Sequence, residues 1–173
     1  MIKVFDNFLK PSANDFIYEF ALKSHYRIGW NDTNNPEHKR YPNLYSSYSK
    51  EDVDKIDILD SINKTIKNKN KATACIINLT KPLDVNFIHT HKNTSVALYY
   101  INPQWNIDWG GETIFYEKDR KKISFTSPYT PNRLIYFNGE TPHTIKSQNI
   151  LGPIYRFTLS LFFNKLVKPV PRL

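Results

Sequence analysis

Residues 154–161 read Ile154-Tyr155-Arg156-Phe157-Thr158-Leu159-Ser160-Leu161. Side chains of an extended segment alternate between faces, so Arg156, Thr158 and Ser160 share one side and Phe157, Leu159 and Leu161 the other. The apolar side needs a core to pack against. The polar side either meets water or looks into a closed sheet, and in the second case the guanidinium requires an anionic partner, because an unpaired buried charge is very costly. No carboxylate of this chain is an obvious candidate. A carboxylate-bearing ligand, gripped by two parallel hydrogen bonds and assisted by a neighbouring hydroxyl, meets the requirement.

The segments upstream follow the same pattern. From Lys71 onward, β-branched and aromatic residues come in short runs bounded by Pro, Gly and Asn. The expected strands are 73–79, 85–91, 95–102, 113–117, 123–127, 133–137, 143–146 and 154–163. Eight strands closing on themselves give a jelly roll. The first part of the chain reads as helical. Ser12 stands three before Asp15 as in a capping box, and Phe16, Ile17, Phe20 and Ala21 form one face of a helix ending near Ser24. Ser49 stands likewise before Asp52, and Val53, Ile56, Leu59, Ile62 and Ile66 mark a second helix over 50–68. Between them, residues 26–49 carry Pro36, Pro42, Tyr41, Tyr45 and Tyr48 and read as a long aromatic-bearing loop. The expected fold class is mainly β (α+β), one domain over 1–173, with 1–70 as helical support and 71–173 as the jelly-roll core.

Composition narrows the setting. The 173 residues carry 24 Lys and Arg against 16 Asp and Glu, a formal charge of +8. A 14% aromatic content with 5 Gly and 11 Pro excludes a disordered or collagen-like chain. The single Cys, Cys75, cannot form an internal disulfide, and no apolar stretch approaches the roughly 18 residues of a membrane span. A cytoplasmic protein with no membrane contact is expected. A basic chain raises the question of nucleic acid, but the lysines are dispersed and no helix-turn-helix or zinc-finger spacing occurs. Nucleic acid is therefore not the expected partner. The charge instead biases approach toward an acidic protein or a phosphorylated small molecule. Oligomeric state is not readable.

His89-Thr90-His91 is the most informative triplet. In an extended strand both imidazoles point the same way and can reach one metal ion. His143 follows the turn dipeptide Asn138-Gly139, and across a sheet it becomes the third candidate ligand. Three histidines of five would then converge. On spacing alone, surface histidines remain an equal alternative.

The segment from His89 to Phe163 resembles the iron(II) and 2-oxoglutarate-dependent oxygenases of the prolyl 4-hydroxylase type. The resemblance rests on Tyr99-Tyr100-Ile101-Asn102, Trp105, Trp109-Gly110-Gly111-Glu112-Thr113-Ile114-Phe115-Tyr116, Pro142-His143 and Tyr155-Arg156-Phe157-Thr158, in the family's order, with Val4-Phe5-Asp6-Asn7-Phe8-Leu9 as the family's usual opening. It implies a double-stranded β-helix, a non-haem Fe(II) site, and decarboxylation of 2-oxoglutarate by O2 coupled to hydroxylation, with ascorbate as a reductant. It also implies roles. His89 and His143 are metal ligands, Arg156 holds the distal carboxylate of 2-oxoglutarate, and Tyr100 and Thr158 assist it.

The sequence departs from the family at one ligand, where His91 stands in place of an expected Asp. His91 ligates as a third imidazole, or the register shifts to make Asn93 the partner of His91, or the site binds without turnover. A three-histidine site also suits zinc hydrolysis. Cupin-type dioxygenases share the triplet but add a nearby glutamate, and residues 92–100 hold no acid. A non-catalytic jelly-roll binding module is the remaining alternative. For the substrate, Trp105, Trp109 and Tyr45 are the candidate contacts. Aromatic walls suit a proline-bearing peptide, and peptidyl-proline is the expected substrate.

Overall fold

The computed structural model describes residues 1–30, 35–48, 58–67 and 72–164. In chain order these form β1 (Ile2–Phe5), α1 (Pro11–Lys23), β2 (Arg27–Trp30), β3 (Asn43–Tyr48), α2 (Ile58–Ile66), β4 (Ala72–Thr80), β5 (Thr94–Tyr100), β6 (Thr113–Tyr116), β7 (Ile123–Ser127), β8 (Leu134–Asn138), β9 (His143–Ile145) and β10 (Arg156–Asn164). Two antiparallel sheets face each other, one of seven strands in the order β1-β8-β5-β10-β4-β3-β2 and one of three in the order β7-β6-β9. This is the mainly β jelly roll with N-terminal helices that the strand pattern predicts.

The alternation in β10 decides how the layers stack. Phe157, Leu159, Leu161 and Phe163 join Ile17 and Ala21 of α1 and Ile58 and Ile62 of α2 in one buried cluster behind the large sheet. The other face of the large sheet supplies Val96, Leu98, Tyr100, Ile135 and Phe137, which pack with Phe115 and Phe125 of the small sheet. Arg156, Thr158 and Ser160 are all buried between the sheets, with Arg156 fully so. The large sheet is thus covered on both faces, and its central strand is buried nearly end to end.

Several expectations need correction. Residues 26–49 are not one loop: β2 and β3 extend the large sheet, with Tyr45 opposite Asn78 of β4. Tyr48 turns to the helix side, where its ring packs on Phe20 and its hydroxyl donates to Ser24. Residues 85–91 form no strand and keep only an isolated bridge, His89 to His143. Helix α1 starts at Pro11 with Lys10 at the N-cap and no side-chain cap, so Ser12 does not cap it. Proline suits the first helical turn because its missing N–H would be unpaired there anyway. Phe16 is exposed, and the buried stripe runs through Asn14, Ile17 and Ala21. The capping residues expected for the second helix, Ser49 and Asp52, lie outside the described residues.

Candidate metal and cosubstrate site

Three segments bring the histidines together. The backbone bridge closes with His89 N–H donating to the His143 carbonyl at 3.0 Å and His143 N–H to the His89 carbonyl at 3.1 Å. His91 N–H donates to the Gly139 carbonyl at 2.7 Å, which anchors it beside the turn after β8. The ring centroids lie 4.9 Å apart for His89 and His91, 4.3 Å for His89 and His143, and 5.2 Å for His91 and His143. One nitrogen from each ring falls within 4.8 Å of the other two. Asn93, the alternative ligand, sits exposed in a left-handed turn conformation before β5.

The hydrogen bonds set the tautomers. His89 Nδ1 lies 2.9 Å from the Phe87 carbonyl and His143 Nδ1 lies 2.8 Å from the Thr141 carbonyl. A carbonyl only accepts, so each Nδ1 carries the proton and each Nε2 keeps its lone pair. Burial, with the charge of His89 second, pushes His91 down to about 3. Burial likewise holds His143 well below the ordinary histidine range, against the Thr141 carbonyl, which pulls the other way. Neutral imidazole is the form that binds a metal. Rings of Phe162 against His91 and of Phe137 against His143, both edge-on, fix the imidazole planes.

The histidines open onto a narrow cleft of about 40 Å³. Its polar wall comes from Asn43, Asn78, Thr80, Asn86 and Ser160, and no described acidic residue lines it. The floor continues along β10 and β4, where Thr158 pairs with Asn78 and Arg156 with Thr80. Arg156 is held from behind. Its Nε donates to the Gly111 carbonyl at 3.0 Å, and its guanidinium carbon stands 4.7 Å from the Tyr129 ring centre and 5.6 Å from that of Tyr100. Burial lowers its pKa, opposed by Tyr129, Tyr100 and Glu112, yet an arginine stays protonated in proteins. Both terminal nitrogens of Arg156 and the Thr158 hydroxyl are buried without a hydrogen-bond partner among the described residues. A charged fork left unsatisfied in this way is shaped for a planar anion such as a carboxylate.

Tyr100 directs its hydroxyl to Thr113 Oγ1 at 2.8 Å. Trp105 and Trp109 lie away from the histidine cleft. Trp105 packs on Tyr129 at 4.1 Å and donates to the Gly110 carbonyl, and Trp109 meets Trp105 edge-on. Trp105 stands with Arg156 around Gly111, and neither tryptophan lines the cleft. Tyr45 stands on β3 next to the cleft's Asn78.

Sequence reasoning missed three supports. Tyr129 donates to the Phe157 carbonyl at 2.7 Å and accepts from Asn102 N–H, while Asn102 Oδ1 accepts from Phe157 N–H, so the pair pins the start of β10. The only local sign of Tyr129 is an aromatic between Pro128 and Pro131. Gly111 has φ +82°, and a Cβ there would come within 2.8 Å of Trp105 Cζ2 and 3.2 Å of Arg156 Nε. The amides Asn43, Asn78 and Asn86 carry no motif at all.

No family model and no curated protein matches the sequence. Solved structures do match the fold. A prolyl-4-hydroxylase of Pseudomonas putida superposes with a TM-score of 0.66 at 15% identity, over 95% of this chain and 92% of that one. A Trichoplax adhaerens prolyl hydroxylase, in complex with a hypoxia inducible factor peptide fragment, gives 0.60 at 16% identity over 94% and 83%. HygX from Streptomyces hygroscopicus, with nickel and 2-oxoglutarate bound, gives 0.66 at 7% identity over 96% and 83%. The chain therefore has the fold of the iron(II) and 2-oxoglutarate-dependent oxygenases, as its motifs imply.

Proposed function

We propose that the chain is a non-haem iron(II) enzyme that couples oxidative decarboxylation of 2-oxoglutarate by O2 to hydroxylation of a substrate. The observation that carries this reading is the buried Arg156 fork, whose two terminal nitrogens and neighbouring Thr158 hydroxyl have no partner among the described residues. The three imidazoles cluster in the cleft whose wall includes Ser160, on the same face of β10 as Arg156. The donor set fits a divalent metal that favours imidazole, and the fork fits the far carboxylate of an oxoacid.

His89, His91 and His143 would hold the metal, and Arg156, with Thr158 and Tyr100 beside it, would hold the cosubstrate. When bound, the metal supplies open positions for the oxoacid and for oxygen. The chain's own contribution is orientation. Carbonyls of Phe87 and Thr141 keep two Nε2 lone pairs free of protons, and the edge-on phenyl rings hold the imidazole planes of His91 and His143. The Gly111 carbonyl and the Tyr129 face fix the guanidinium, so an oxoacid enters in one direction. Ascorbate would serve as reductant. The prolyl hydroxylases among the fold neighbours make peptidyl-proline the first substrate class to screen.

Loading the protein with Co(II) and titrating 2-oxoglutarate tests the reading without a known substrate. The visible spectrum should shift on binding, and Arg156→Ala should weaken that binding about 100-fold, since two charge-assisted hydrogen bonds are lost. With iron, 2-oxoglutarate and ascorbate, slow uncoupled formation of succinate is expected. Metal uptake with neither a spectral response to 2-oxoglutarate nor succinate would overturn the proposal in favour of a binding module.

A further inference from the structure

Charge balance in the cleft identifies a property of the substrate, granted the metal and cosubstrate assignment above. Three imidazoles add no charge to a divalent ion, and Arg156, buried on the same face of β10 as Ser160 of the cleft wall, stays a cation as arginines in proteins do. A 2-oxoglutarate dianion offsets two of these three positive charges. One remains. No acidic side chain lines the cleft among the described residues; Asn43, Asn78 and Asn86 supply amides there instead. Glu112, the carboxylate felt by Arg156, is already paired with Lys146 at 3.6 Å. Surplus charge in a cleft walled by protein is costly, and the field of a chain carrying +8 does nothing to relieve it.

We propose that the molecule sharing this cleft with 2-oxoglutarate carries a carboxylate, and that this group supplies the negative charge the protein omits at His91. Donors for it are present. Ser160 Oγ accepts from Asn78 Nδ2 at 3.2 Å, which leaves its own proton free to turn toward a guest. Asn86, held to Ser147 at 3.0 Å, sets a second amide at the same wall. A neutral guest would leave the surplus charge in place.

The experiment uses the Co(II)-loaded full chain saturated with 2-oxoglutarate and reads binding of small probes from the visible spectrum. Acetate is compared with acetamide, and a capped Gly-Asp-Gly tripeptide with its Gly-Asn-Gly counterpart. At least a tenfold preference for the acid is expected in one or both pairs. Preference in the first pair assigns the carboxylate to a free acid, and preference confined to the second assigns it to an acidic side chain. His91→Asp, which returns a carboxylate to the cleft, should reduce the preference to less than threefold. If that variant does not fold, the near-isosteric Asn78→Asp makes the same comparison. Equal affinity for acid and amide in the native chain overturns the proposal. So does a preference that survives the added carboxylate, or acetate binding that releases 2-oxoglutarate, since the acid is then merely taking the place at Arg156. Failure to bind Co(II) or 2-oxoglutarate at all would instead remove the reading beneath it, and this inference with it.

Discussion

At the scale of single residues, Gly111 is a position where a side chain meets both strain and crowding. Its φ of +82° strains any L side chain, its carbonyl holds Arg156, and a Cβ would press on both Trp105 and Arg156. Gly111→Ala should cost about 1–3 kcal/mol of stability and weaken 2-oxoglutarate binding at least tenfold through displacement of the guanidinium. Calorimetric titration of the metal-loaded variant checks this, and native affinity would show that the guanidinium is placed by other contacts. The histidines set a pH dependence. His91 has a folded pKa of about 3 against an ordinary 6.5, and His143 is shifted the same way. As pH falls from about 6.5 toward 3, the unfolded chain takes up protons that the folded chain refuses, so stability is fully present above that window and lost within it. Urea midpoints of the metal-free protein should therefore drop between pH 7.5 and 5, and His91→Gln should flatten the profile. Coincident midpoints for the native chain would refute the depressed titration.

At the scale of elements, β10 separates packing from chemistry by alternation, and its neighbours Leu161 and Phe162 make the division testable. Leu161 is fully buried on the helix side, while Phe162 sets its ring edge-on to His91 at 4.9 Å. Leu161→Ala should cost about 2–5 kcal/mol with metal affinity kept. Phe162→Ala should cost less stability and more metal affinity, measured by denaturation and Co(II) titration on the same samples. The same alternation explains what was legible. In β10 the period of two holds from Arg156 to Leu161 and both faces are buried there, so its polar strip could be read directly as the lining of a site. Residues 85–91 have similar composition but make only the His89 bridge, because what holds them is contact with His143 and Gly139 far along the chain. Between β2 and β3, Pro36, Pro42 and several Asn imitate a loop that extends over both strands, and pairing of β2 with β3 and of β3 with β4 overrides the local signal. The histidines and Arg156 were legible because few other residue types perform their chemistry. Tyr129, Asn102 and the cleft amides act only through partners distant in sequence, and no local pattern encodes that.

At the scale of the molecule, the histidines stand where the two sheets meet. His143 belongs to β9 of the small sheet, whereas His89 and His91 lie on the segment that leads into β5 of the large one. Apart from that bridge, the three rings meet by side-chain packing. A metal ion bound by all three would add a link between the sheets that exists only in the folded chain. Any ligand selective for the folded state stabilises it by mass action, about 2.7 kcal/mol at a concentration 100 times its Kd. For a chain of this size each kcal/mol moves the Tm by about 2–4 °C, so saturating Co(II) should raise it by about 5–11 °C, with reversal by a chelator. His143→Ala should abolish the rise, because it leaves two ligands on one segment and none on the other sheet. A shift that persists in that variant would mean that the metal is held by His89 and His91 alone, and that the sheets are joined without it.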